Sequence, residues 1–118
     1  MCVFLFFIIL DSLLRVLSSE QLKSTASAVF FGRIIPHVPS IDTLGANLGM
    51  MPAELVQCIQ ESPRSLASQV YCMLLKWKEK EGRNATVKKL LKAMQYSTIA
   101  EELYRDAVLD YFDDSDSD

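Results

Sequence analysis

A single histidine and three cysteines are the only imidazole or thiolate metal ligands in this chain of 118 residues. A structural zinc site needs four such groups close together, and His37, Cys2, Cys58 and Cys72 are spread along the whole length. No metal and no cofactor is expected. The odd number and long spacings of the cysteines also exclude a closed disulfide framework. What remains is reduced thiols, a cytoplasmic setting, and Cys58 and Cys72 packed as small apolar residues. Nothing beside either thiol lowers its pKa, so a Cys-His nucleophile pair has no support. There is no G-x-S-x-G, no glycine-rich phosphate loop and no pair of carboxylates with histidine, so the chain does not read as an enzyme. Four glycines and four prolines exclude collagen-like and low-complexity chemistry. A large charge of one sign is missing too. Twelve Lys and Arg stand against fifteen Asp and Glu, a net charge of -3, which removes any global attraction to nucleic acid or membrane.

Hydrophobic residues make up 50% of the chain, enough for the core of one domain. The first ten, MCVFLFFIIL, are all apolar, but the run ends at Asp11 and a spanning helix needs about 20 such residues. A buried first helix, the end of a spanning helix, a degenerate signal and an ill-defined start all stay open, and with them membrane association. The division expected is an apolar segment with an unplaced first helix over 1–39, a helical core over 40–110, and an acidic tail over 111–118.

The pattern is helical, since Val, Ile and Thr never alternate with polar residues over a useful length. Residues 12–31 suit one helix with Leu13, Leu14, Leu17 and Leu22 facing a core, and Pro36 and Pro39 end it. A short helix after Ser40 carries Leu44 and Leu48 and closes at Gly49, a residue suited to a left-handed cap. Pro52 suits a first helical turn, with Leu55, Cys58 and Ile59 forming a face. The longest helix is expected to open at Ser62-Pro63, with Leu66, Val70, Met73, Leu74 and Trp77 in one stripe, and to end at Gly82. Asn84 or Thr86 caps the next, whose Val87, Leu90, Leu91 and Met94 repeat the helical period. A last helix is expected from Ser97 through Ile99, Leu103, Ala107 and Val108. Short connections among six helices make an all-α antiparallel bundle.

The run LGMMPAELVQCIQESPRSLASQVYCMLLKWKEKEGRNATVKKLLKAM resembles a death domain, the six-helix adaptor module of apoptotic and inflammatory signalling. The most specific stretch is Leu74, Leu75 and Trp77, then charged residues, Gly82, Asn84-Ala85-Thr86 and an apolar helix. Leu44, Ala46, Leu48 and Gly49 match the usual second helix and its turn. The resemblance covers residues 41–103. It departs at Ile41, which stands where a Trp is usual, and at Met51, which replaces a Ser or Thr cap worth about 1 kcal/mol. It implies a noncatalytic module whose partners are other death-domain proteins, in homo- or hetero-oligomers.

Charge is segregated along the chain. From Lys76 to Lys92 seven cations (Lys76, Lys78, Lys80, Arg83, Lys88, Lys89, Lys92) meet only Glu79 and Glu81, a local +5. From Glu101 to Asp118 eight acids meet only Arg105, a local -7. The basic set, with Glu54 and Glu61 on other faces, is the expected contact surface, because charged rims steer encounter and set register. Leu44, Leu48, Leu55, Val70, Leu74, Trp77, Leu90, Leu91 and Leu103 are the expected core. Asn84-Ala85-Thr86 is a glycosylation sequon, but the same residues serve as a helix cap. Ser115 and Ser117, within acidic residues, suit phosphorylation by acidophilic kinases. Two other readings accompany the main one: the cytoplasmic tail of a membrane-linked receptor, and a helix-turn-helix over 43–59. The recognition helix of the latter would present Glu54, Gln57, Gln60 and Glu61 with no cation, which a phosphate backbone repels. Nucleic acid is therefore not an expected partner.

Overall fold

Serine and threonine hydroxyls start the helices. Ser18, Ser27, Ser40, Ser65 and Thr86 each accept a hydrogen bond from a backbone N–H two or three residues ahead, satisfying donors the first turn leaves unpaired. The computed structural model describes residues 13–116. The apolar start, Cys2 and Ser117 lie outside the described residues.

Among the described residues the α-helices are α1 Leu13–Val16, α2 Ser19–Lys23, α3 Ala28–Ile34, α4 Ile41–Asn47, α5 Pro52–Glu61, α6 Leu66–Glu81, α7 Val87–Tyr96 and α8 Glu101–Asp116. Short 3-10 turns occupy Ile35–His37 and Gly82–Asn84. The helices α3 to α8 supply the six expected of an all-α bundle, and α1 and α2 are short additions that pack on α7. Gly49 has φ +81°, the left-handed conformation that closes α4.

The expected helix over 12–31 is broken in two places. The Ser18 N–H donates to the Gln21 side chain at 2.9 Å and the Ser18 hydroxyl accepts from the Gln21 N–H at 3.1 Å, a reciprocal cap that begins a new helix. Further on, Ser24 to Ala26 is extended, because its backbone is bonded to the entrance of α7. The Ala26 N–H donates to the Ala85 carbonyl at 2.8 Å, and the Val87 N–H to the Ser24 carbonyl at 2.9 Å. A helix there would forfeit both bonds.

Two helix starts also differ from expectation. α6 opens at Leu66, not after Ser62, because the Ser62 carbonyl accepts from the Gln69 side chain at 2.9 Å while Ser65 makes the cap. α8 opens at Glu101, not Ser97. The Ser97 hydroxyl bonds back to the Ala93 carbonyl at 2.7 Å and finishes α7, and Thr98 turns the chain with φ +57°.

The core is continuous. Leu44, Leu55, Val70, Leu74, Trp77, Leu90 and Leu91 are buried and Leu48 is half-buried. Leu103 is a correction: it is 59% exposed, and the inward stripe of α8 is Tyr104, Val108 and Phe112, which keeps the expected Val108 and takes Tyr104 in place of Leu103. The segment expected as an acidic tail overlaps the end of α8. α8 continues to Asp116, and Tyr111 and Phe112 pack on α3. Phe30 meets Tyr111 edge-on with ring centroids 5.2 Å apart and Phe112 at 6.2 Å. The Tyr111 and Ser27 hydroxyls are 2.9 Å apart, so the cap of α3 is tied to the end of α8. Each large side chain removed from water here contributes about 1.5–3 kcal/mol.

Candidate interaction surface

The basic segment spans the end of α6, a tight turn and the first two turns of α7. Gly82 stops α6 with φ +59° and ψ −123°, a conformation closed to residues with a Cβ. The 3-10 turn then carries Arg83 and Asn84 outward, both exposed. Ala85 is fully buried and anchors the turn. The Thr86 hydroxyl accepts from the Lys89 N–H at 3.3 Å, so the sequon residues do act as a helix cap.

The structure divides the seven cations. Lys76 and Lys80 point back to α5: the Lys76 ammonium donates to the Gln57 side chain at 3.3 Å, and Lys80 pairs with Glu54 at 3.0 Å. These two tie α5 to α6. Lys78 is half-buried. Lys89 pairs with Glu81 at 3.5 Å. Arg83, Lys88 and Lys92 are exposed and make no ion pair among the described residues. Lys88 and Lys92 are one turn apart on the same face of α7.

Lys88 and Lys89 are the second and third residues of α7, and its first turn holds no acid. The N-terminal end of a helix carries partial positive charge, so cations there oppose the helix dipole. Glu81 compensates Lys89. Nothing among the described residues compensates Lys88. The fold therefore carries a charge arrangement that its own helix disfavours.

Of the two acids expected at the contact surface, Glu54 is occupied internally. One carboxylate oxygen accepts both from the Met51 N–H at 2.9 Å and from Lys80, which holds its pKa below the usual carboxylate range, the backbone bond being the larger cause. The first of these bonds is the half of a capping box that needs no hydroxyl at Met51. Glu61 is exposed and accepts from the Cys72 thiol at 3.3 Å. The Cys72 pKa is pushed up to about 12, by burial first and then by Cys58 and Glu61, so this thiol is protonated and unreactive at neutral pH. Ser115 falls on α8.

Sequence reasoning missed a second exposed face on α6. Tyr71 and Leu75, one turn apart, line an open groove of about 650 Å³ with Ile35, Pro36, Ser68 and Cys72. Their spacing beside the core stripe was the available signal. No cluster of metal-binding side chains occurs among the described residues, and none of their helices is long and apolar enough to cross a membrane.

A family model for the death domain matches residues 33–107, from the last turn of α3 into α8. No curated protein matches the chain.

Proposed function

Because the chain belongs to the death-domain family, whose members are homotypic protein–protein interaction modules, we propose that it is a cytoplasmic, noncatalytic adaptor in apoptotic or inflammatory signalling. Its docking corner is Arg83, Lys88, Lys89 and Lys92, and the partner is a second death domain with an acidic face. The observation that carries this reading is the uncompensated Lys88 in the first turn of α7. Local rules are broken where function requires it, and an acidic partner would supply the missing countercharge.

The test is the double reversal Arg83→Glu and Lys88→Glu, with capture measured against purified death domains bearing acidic surfaces. Placing Glu in the first turn of α7 suits its dipole, so the variant should melt no lower than wild type. Capture should fall at least about tenfold, as expected for charges that set register at an interface. Undiminished capture by a folded double variant would move the interface off this corner.

A further inference from the structure

The acidic helix α8 repeats the anomaly of α7 with the signs exchanged. Glu102, Asp106, Asp110 and Asp113 are all exposed and recur at steps of four, four and three, which places them on one face. Arg105, the one cation of α8, pairs instead with Glu101 at 3.1 Å. None of the four stripe acids makes an ion pair among the described residues. Asp113 lies in the last turn of α8, which holds no base, although the C-terminal end of a helix carries partial negative charge. So α7 begins with cations its dipole disfavours and α8 ends with acids its dipole disfavours.

Among the described residues each helix also exposes one large apolar side chain, at the end away from its misplaced charge. Tyr96 is 72% exposed at the end of α7, and Leu103 is 59% exposed at the start of α8. Lys88, Lys92 and Tyr96 step by four, as do Asp110, Asp106 and Glu102 beside Leu103. Four residues advance about 6 Å on either helix, so the two rows keep one register along their whole length.

We infer that the exposed face of α7 docks antiparallel on the acidic stripe of α8 in a second copy of this chain. Lys88 then meets Asp110, Lys92 meets Asp106, and Tyr96 packs by Leu103 and Glu102. Asp113 continues toward the side of Arg83. The antiparallel direction brings the cation-bearing start of α7 to the acid-bearing end of α8, so each charge compensates the other. A second copy is the occupant because both complementary rows, of opposite sign and equal step, belong to this one chain. The contact joins unlike faces and leaves one of each free, so association continues beyond a pair. It rests on the reading of α7 as a docking face, and adds α8 as the surface that face recognises.

The experiment is sedimentation velocity of the full chain over a range of concentrations between about 0.01 and 1 M salt, across which the Debye length falls from about 30 to about 3 Å. The weight-average mass of wild type should rise with concentration at low salt and return to the monomer at high salt. Lys88→Glu with Lys92→Glu, and separately Asp106→Lys with Asp110→Lys, should each stay monomeric. Mixed in equal amounts, the two variants regain complementary faces and should associate. A monomeric wild type at low salt overturns the inference, and so does association of either variant alone at wild-type strength or a mixture that stays monomeric. The α8 variant keeps its basic corner. If it still captures an acidic death domain while wild type shows no self-association, self-docking fails and the corner stands; if wild type self-associates but captures no other death domain, the reverse holds.

Discussion

Tyr104 gives a sharp test of how α8 is seated. Its side chain is fully buried, and its hydroxyl has no hydrogen-bond partner among the described residues. A buried hydroxyl left unpaired costs about 1–3 kcal/mol. Tyr104→Phe removes that oxygen and keeps the ring and nearly all the buried apolar area. The void left is about 10–15 Å³, which at about 24 cal/mol per Å³ costs only about 0.3 kcal/mol. The variant should therefore be more stable by about 1 kcal/mol, close to 4 °C in Tm for a domain of this size. Burial, aided by the charge of Glu101, raises the hydroxyl pKa above its ordinary value. A group whose pKa is raised on folding contributes stability that is complete below its unfolded value, about 10 for tyrosine, and is lost as pH climbs from there toward the folded value. The advantage of the Phe variant should thus be constant near neutrality and widen above about pH 10. Thermal and urea melts of both proteins at neutral and alkaline pH measure this. A lower Tm for Tyr104→Phe at neutral pH would refute the reasoning, because it would mean that the hydroxyl is bonded.

Glu101 accepts from the Leu13 N–H at 2.7 Å, from Arg105 at 3.1 Å and from the Gln95 side chain at 3.3 Å, which joins α1 to the end of α7 and the start of α8. Glu101→Ala should cost about 2 kcal/mol in urea melts, with amide protection of α1 lost first, since hydrogen bonds to charged groups contribute about 1.5–3 kcal/mol. Thr98 holds φ +57°, and Thr98→Gly should raise stability by about 1 kcal/mol, less the entropy glycine returns to the unfolded chain. Phe112→Ala should cost about 3 kcal/mol, whereas a residue in a solvated tail would cost nothing. A melt indistinguishable from wild type would detach the end of α8 from the core.

The sequence made the bundle legible wherever one apolar stripe stood alone. On α7, Val87, Leu90, Leu91 and Met94 are all buried and Lys88, Lys89 and Lys92 stand exposed on the far side, so period and burial coincide. On α8 two stripes compete. Leu103 with Ala107 and Tyr104 with Val108 are equally helical, and only the aromatic contacts of Phe30 with Tyr111 and Phe112 decide between them. The break at Ser24 to Ala26 was illegible for a different reason, because its bonds run to Ala85 and Val87, some sixty residues away. Local capping chemistry pointed to Ser62 for the start of α6, whereas the Ser65 hydroxyl makes the cap and the Gln69 side chain takes the Ser62 carbonyl.

Charge was legible as composition but not as arrangement. Counting along the chain separates +5 from -7, yet it treats seven cations as equivalent when two of them, Lys76 and Lys80, hold α5 against α6. The position of the rest relative to a helix end became definite only once Thr86 was fixed as the cap of α7. A shift of that cap by one turn toward the N-terminus would move Lys88 into the helix interior, where the dipole acts on it weakly. The same holds for Asp113, whose meaning depends on α8 ending at Asp116 and not at 110. Exposed ion pairs contribute little to stability, and a fold of this size does not need two helix ends charged against their own dipoles. What such ends do supply is a directional mark, positive at the start of one helix and negative at the end of the next. Two copies can read that mark only in the antiparallel sense.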